Sequence, residues 1–324
     1  MKSINKLDAL KEFRVGNSTW QADYKSYYDV LLIEKEVGLL GHECRFIVKL
    51  INAFQTEVFS NDYEFFIIFN QLITIFKSFL AANRSCVYGT RDEERIAHIF
   101  HFMEFLNGGS LQWHLEKTGT FTEKQVVFYS AQILCGILFL HSKQIVHRDI
   151  KLENILLDSN GNAKLCDFGF CRKISNKSSY IYGTEKFRSP ESFLGGYLHY
   201  SLDFWSLGIC IYYMLTGEFP FENEKKLSDD TKMPDMNLII AKNHTNILNK
   251  LFLGRVTSID DKFKISHVAC EFVSKLLNKD LEERLGNKDN NEDIKSEPFF
   301  ASIEWDKLEK GELKPPIDPN VVSF

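Results

Sequence analysis

Two short apolar runs, Ile155 to Leu157 and Ala163 to Cys166, flank the polar stretch from Asp158 to Asn162. Asn160-Gly161 within that stretch tolerates the positive φ angles of a tight hairpin, so the runs are predicted to pair as antiparallel strands. Such a hairpin brings its open ends together, with Asn154 at one and Asp167 at the other. Upstream, Phe121-Thr122-Glu123-Lys124-Gln125-Val126 has the form of a capping box with a hydrophobic staple. It opens a predicted helix in which Val127, Ala131, Leu134 and Leu138 share one face. Downstream, Asp203 to Leu215 is apolar all round and stops at Gly217, the pattern of a helix buried at the centre of a folded body. Tyr63 to Ala82 is also strongly apolar and long enough to span a bilayer, but Glu64, Asn70, Gln71 and Lys77 interrupt it. It reads as a buried or docking helical insert, ahead of a membrane contact or a misjoined coding segment. The lysine- and aspartate-rich stretch after Phe221 reads as a surface loop.

Composition narrows the class. With 324 residues, 44% of them hydrophobic and 14% aromatic, the chain has apolar area for one large domain or two lobes. Its 39 basic and 44 acidic residues leave a formal charge of −5, so neither nucleic acid nor an anionic membrane is an expected partner. The seven cysteines are odd in number and show no CxxC spacing, which argues against a zinc site or a disulfide framework. A reducing compartment, cytoplasmic or nuclear, is expected. The start, Met1-Lys2-Ser3-Ile4-Asn5-Lys6, carries no secretory h-region and no myristoylation glycine.

The chemistry sits at the open end of the hairpin. An amide oxygen from Asn154 and a carboxylate from Asp167 are hard oxygen ligands of the kind Mg²⁺ prefers. Asp149, five residues before Asn154 in the loop leading into the same open end, can face a nucleophile beside such a metal. The run His147-Arg148-Asp149-Ile150-Lys151-Leu152-Glu153-Asn154, followed by Asp167-Phe168-Gly169, resembles the catalytic and metal-binding loops of protein kinases. The resemblance implies that Asp149 accepts or orients the substrate hydroxyl proton, that Lys151 contacts the γ-phosphate of ATP, and that Asn154 and Asp167 hold Mg²⁺. It also implies that Asp203 braces the catalytic-loop backbone and that Arg284 pairs with Glu191 of Ser189-Pro190-Glu191.

Asp167-Phe168-Gly169-Phe170, Gly183-Thr184, Arg284-Leu285-Gly286, Pro298-Phe299-Phe300, Ile303-Glu304-Trp305 and Lys314-Pro315-Pro316 together resemble the AGC group of protein kinases. That likeness implies an α+β, bilobal protein kinase fold. A β-rich but incomplete small lobe is expected over residues 1–105, a mainly helical large lobe over 106–300, and the start of an AGC-type tail over 301–324. Leu32-Ile33-Glu34-Lys35 resembles the helix C glutamate segment, and Phe46 to Leu50 the strand after it. Phe102 to Leu106 resembles the hinge, which implies Met103 as gatekeeper and the Glu104 and Leu106 backbones facing adenine. Ala9 is expected over adenine and Lys11 toward the phosphates, with Arg14 the competing lysine substitute.

Departures from the family pattern shape the functional expectation. No GxGxxG precedes Glu34, and residues 57–95 form an insertion where the family has a short turn. A membrane crossing there would separate Glu34 from the hinge, so membrane association is not expected. Tyr180 holds the usual phosphothreonine position, after Ser178 and Ser179, and Arg148 offers a guanidinium to a phosphate on any of the three. Glu153 keeps one substrate-reading carboxylate, whereas Ser110 and Tyr213 replace two others, so a weakened basic preference is expected. The reading is an ATP- and Mg²⁺-dependent serine/threonine protein kinase, activated by an upstream kinase. The alternative is a pseudokinase acting as a scaffold or allosteric binding module.

Overall fold

The computed structural model describes residues 3–4, 32–59, 82–89, 95–174, 183–193, 198–220, 265–287 and 291–319. The chain divides into two compact units, Met1–Asn107 and Gly108–Phe324.

In the first unit, β1 (Ser3–Ile4) precedes a helix, α1, over residues 32–40. The strands β2 (Leu50–Phe59), β3 (Ala82–Gly89) and β4 (Arg95–Met103) complete a four-stranded sheet in the order β1-β3-β4-β2. β4 pairs antiparallel with both β2 and β3, and β1 runs parallel to β3. Two expectations change here. Ladder pairing continues to Phe59 opposite Arg95, and Ala82–Gly89 is a strand of the same sheet, so the described part of the 57–95 insertion is sheet. Tyr63 to Ala81, the body of the expected helical insert, lies outside the described residues. Phe46 to Lys49 was expected as strand, yet regular pairing begins only at Leu50. The cause is a polar substitution for the ladder. Lys49 donates its amide to Glu104 Oε1 at 2.9 Å, and its carbonyl accepts from the Glu104 amide at 2.9 Å.

The second unit is mainly helical. Ser110 Oγ caps α2 (Leu111–Thr118) by accepting from the Trp113 amide, and Thr122 and Gln125 close a capping box on α3 (Glu123–Ser142). That box satisfies two N–H groups that a helix start otherwise leaves orphaned. α3 is buried from Val126 to Ile137 on every side, and Leu138 is only half-buried, so the single stripe expected from spacing is too narrow. It is long and apolar enough to cross a membrane, but most of its surface lies inside this unit. The short strands β5 (Ile145–Val146), β6 (Ile155–Leu157), β7 (Ala163–Leu165) and β8 (Arg172–Lys173) follow, pairing as β5 with β8 and β6 with β7. Next come α4 (Pro190–Phe193) and α5 (Ser201–Thr216), which ends on Gly217 at φ 72°. Among the described residues α6 (His267–Leu276) and α7 (Trp305–Lys310) follow, and Trp205, Phe204, Phe272 and Phe300 are fully buried.

The β6–β7 connection differs from the predicted turn. It is a loop over Asp158 to Asn162 in which Gly161 alone has positive φ, at 89°. Asp158 Oδ1 accepts from the amides of Asn160 and Asn162, an Asx arrangement that replaces the two-residue turn. α3 grips this loop from below. Gln132 donates to Asn162 Oδ1 and accepts from the Ala163 amide, and the Tyr129 hydroxyl donates to the Gly161 carbonyl.

Candidate active site

The loop between β5 and β6 carries the candidate chemistry, and a buried carboxylate holds it. Asp203, in the first turn of α5, is fully buried. Its Oδ2 accepts from the His147 amide and faces His141 Nε2, each at 2.8 Å, while Oδ1 accepts from the Arg148 amide at 2.8 Å. Burial pushes this carboxyl up. The His141 hydrogen bond, the His141 and His147 charges and the Arg148 amide outweigh that and hold it below the usual range. The bracing matters because Arg148 sits at φ 68°, a left-handed conformation that costs roughly 1–3 kcal/mol for a residue with a side chain. Arg148 is further held by Nε donating to the Phe170 carbonyl at 2.7 Å.

Asp149 follows at once and is buried. Its Oδ1 accepts from the amide and hydroxyl of Thr184 at 2.9 and 2.8 Å. Its Oδ2 accepts from Asn154 Nδ2 at 2.9 Å and lies 3.2 Å from Lys151 Nζ. Lys151 Nζ also donates to Thr184 Oγ1 at 2.8 Å. Burial raises the Asp149 pKa, but Lys151, the two Thr184 bonds and His147 together bring it below the ordinary carboxylate value. The carboxylate is therefore ionised at neutral pH, a proton acceptor with a cation alongside.

The segment bearing Thr184 reaches this loop because Gly183 has no side chain. A Cβ at Gly183 would stand 2.4 Å from the Arg148 carbonyl, and its φ of 91° suits glycine alone. At the hairpin's open end the Cys166 amide donates to the Asn154 carbonyl at 2.9 Å, which sets Asn154 beside Asp167 in the backbone. The Asn154 amide nitrogen donates to both the carbonyl and Oδ2 of Asp149, so Oδ1 is the atom it presents as a ligand. Asp167, at φ 63°, adds a carboxylate whose Oδ1 accepts from the Gly169 amide. Two hard oxygens on adjacent backbones fit a magnesium ion.

A family model for the protein kinase domain matches residues 3–300. Protein kinase C delta type from Homo sapiens is 37% identical over 245 residues, 74% of this chain and 31% of that protein. The Rattus norvegicus protein of the same name is 32% identical over 320 residues, covering 96% and 42%. Serine/threonine-protein kinase SCH9 from Saccharomyces cerevisiae is 36% identical over 223 residues, covering 68% and 24%. The chain belongs to the protein kinase family. Its relatives place it with the AGC-like eukaryotic kinases, and the fold is the bilobal protein kinase fold. The chain spans less than half the length of these curated relatives.

Within this kinase the structure brings Asp149, Lys151, Asn154 and Asp167 to one end of the β6–β7 hairpin. Glu191 and Arg284 form a two-point ion pair, Nη1 to Oε1 at 2.5 Å and Nη2 to Oε2 at 2.9 Å. Arg284 Nε donates to the Asn278 carbonyl, and the guanidinium stands 4.8 Å from the Trp205 ring centre. In the first unit Glu34 is buried on α1, with Oε2 3.5 Å from His101 Nδ1 on β4. Glu104 and Leu106 follow β4 directly. Ala9, Lys11, Ser178, Ser179 and Tyr180 lie outside the described residues. Sequence reasoning missed Thr184 as a partner of Asp149, although Gly183-Thr184 was the signal for it. It also read Ser110 only as a missing carboxylate, whereas the hydroxyl caps α2.

Proposed function

We propose that this chain is an active serine/threonine protein kinase domain that transfers the γ-phosphoryl of ATP to a serine or threonine hydroxyl of a protein substrate. The observation that carries the reading is the Asp149 carboxylate, fixed on both oxygens by Thr184 and Asn154 with the Lys151 ammonium 3.2 Å away. Asp149 takes the proton of the incoming hydroxyl and holds it in line. Lys151, anchored by Thr184, meets the γ-phosphate. Asn154 and Asp167 would hold a magnesium ion, which when bound would supply neutralisation of phosphate charge, the principal demand of phosphoryl transfer. Lys11 and Glu34 are assigned to the phosphate side of ATP, and Ala9 with the Glu104 and Leu106 backbones to adenine. Phosphate placed on Ser178, Ser179 or Tyr180 by an upstream kinase pairs with Arg148. The exposed Glu153 carboxylate gives a weak preference for a basic side chain in the substrate. The cytoplasm or nucleus is the proposed location.

Asp149→Asn keeps the Thr184 and Asn154 geometry within reach and removes the proton acceptor. Labelled phosphate transfer from Mg-ATP should fall by at least about 10²-fold, the low end for a general base, while denaturant unfolding is little changed. Equal transfer by wild type and variant would defeat the assignment.

A further inference from the structure

His101 has no part in the transfer described above. It is 4% exposed on β4, Glu34 is 7% exposed on α1, and Nδ1 of the imidazole stands 3.5 Å from Oε2 of the carboxylate. Two facing acceptors would repel, so the ring hydrogen belongs on Nδ1, where it draws the carboxylate toward β4. The contact is longer than a full hydrogen bond and is made through Oε2, an arrangement compatible with a cation on Oε1. One helical turn further on, Gly38 lets α1 come close to the same strand. A Cβ there would lie 3.3 Å from Met103 Cε on β4 and 2.8 Å from Leu50 Cβ on β2, tighter than side chains tolerate. Residues four apart rise about 6 Å along a helix, and residues two apart about 6.8 Å along a strand. Glu34 and Gly38 therefore match His101 and Met103 along one face of each element, which fixes α1 on β4 at two successive points. Gly38 sets how near the helix comes, and His101 sets which way the carboxylate is drawn.

We propose, on the reading that assigns Glu34 to the phosphate side of ATP, that His101 is a positioning residue that acts through Glu34. A buried carboxylate costs free energy unless it is compensated. The imidazole N–H supplies compensation from a strand that is paired on both edges and leads directly into Glu104 and Leu106. The strand that ends on the adenine side thus also orients the carboxylate assigned to the phosphates.

The test is calorimetric titration of the full chain with Mg-ATP. Asparagine and leucine branch at the same atom, but only asparagine carries an N–H where Nδ1 stands. His101→Leu should weaken Mg-ATP binding about tenfold, the scale of a lost contact to a charged group, and His101→Asn should stay within about threefold of wild type. A histidine that only packs predicts the reverse order, since leucine suits a buried strand better than asparagine does. On a Glu34→Gln background, His101→Leu should add less than about twofold. Gly38→Ala, which pushes α1 away from β4, should weaken binding in the same direction, and it carries the test if His101→Leu fails to fold. Hydrogen exchange without nucleotide gives an independent readout, in which the amides of α1 should exchange faster in His101→Leu than in His101→Asn while those of α3 are unchanged. Wild-type affinity in both His101→Leu and Gly38→Ala, weaker binding by His101→Asn than by His101→Leu, or an undiminished loss on the Glu34→Gln background would overturn the inference. If Glu34→Gln binds Mg-ATP as wild type does, the phosphate-side assignment falls and this inference with it. Weak binding by Glu34→Gln beside wild-type binding by His101→Leu removes this inference alone.

Discussion

Replacing Asp203 by asparagine tests how the catalytic loop is held. The carboxylate receives three contacts at 2.8 Å, from the His147 and Arg148 amides and from His141 Nε2. An asparagine keeps one acceptor oxygen, and turning it toward Arg148 points its NH₂ at His147 N–H and His141. His141 can answer by accepting through Nε2, but the His147 amide has no such freedom and becomes a buried orphan. That orphan costs about 1–3 kcal/mol, and the remaining bond to Arg148 loses its charge assistance, about 1 kcal/mol more. The sum is about 3 kcal/mol, or roughly a 6–12 °C fall in Tm for a body of this size. Activity should fall further than stability, because the strained φ of Arg148 relaxes and takes Asp149 with it. The effect has a pH signature. The Asp203 pKa is depressed in the folded chain, so its contribution is complete above the ordinary carboxylate value of about 3.9 and is lost as pH falls through the lower folded value. Denaturant unfolding of wild type and Asp203→Asn at pH 7 should therefore differ by about 3 kcal/mol, and the gap should close at the acid end. A difference under about 1 kcal/mol at pH 7, with kcat unchanged, would show that something other than Asp203 fixes the loop.

Three further outcomes follow from the same contacts. Arg284→Met leaves Glu191 without its two-point partner in a mostly buried setting and should cost about 3–5 kcal/mol, read by denaturant unfolding, while Glu191→Gln with Arg284→Met should cost less than the sum of the two single changes. Gly161→Ala places a methyl 2.2 Å from the Ile317 carbonyl at a φ of 89°, so the segment around Pro315 to Ile317 should be displaced and cleaved faster in limited proteolysis, with stability lowered by roughly 1–2 kcal/mol or more. Because the Asp149 carboxyl lies below the ordinary carboxylate range, phosphate transfer should show no acid limb from this group between pH 8 and about pH 5, which a rate profile with pH-independent substrates checks.

What the sequence showed best was local. The pairing of Ile155–Leu157 with Ala163–Leu165 and the capping box at Thr122 need only neighbours within a few residues, so composition and spacing suffice to foresee them. The turn inside that hairpin escaped because the Asp158 side chain outcompetes the backbone for the amides of Asn160 and Asn162. Long-range polar contacts outside the family resemblance escaped for a different reason. Thr184 meets Asp149 from 35 residues away and Gln132 meets Ala163 from 31, and no periodicity encodes which distant polar group a buried one will find. The late start of β2 is the same effect in the backbone, since Glu104 captures Lys49 from 55 residues away.

The site's dependence on buried polar residues explains why an apolar helix carries so many of them. α3 buries Tyr129, Gln132 and His141 along its length, although each hydroxyl, amide or imidazole costs free energy to bury unless it is paired. Tyr129 and Gln132 hold the hairpin loop behind Asn154, and His141 faces the Asp203 carboxylate that holds His147 and Arg148. One helix thus fixes the far end of the hairpin and, through Asp203, the loop at its near end. Asp149, Lys151, Asn154, Asp167 and Thr184 all belong to the unit Gly108–Phe324, so their mutual geometry is set by contacts within that unit's own core. Three described non-glycine residues of that unit, Gln144, Arg148 and Asp167, hold left-handed φ angles, and strain of that kind persists only where surrounding contacts over-determine the conformation. For Arg148, Asp203 in the first turn of α5, faced by His141 near the end of α3, supplies those contacts. A substitution that loosens α3 at Gln132 should therefore act on phosphate transfer through the hairpin, without any change at a residue that touches substrate.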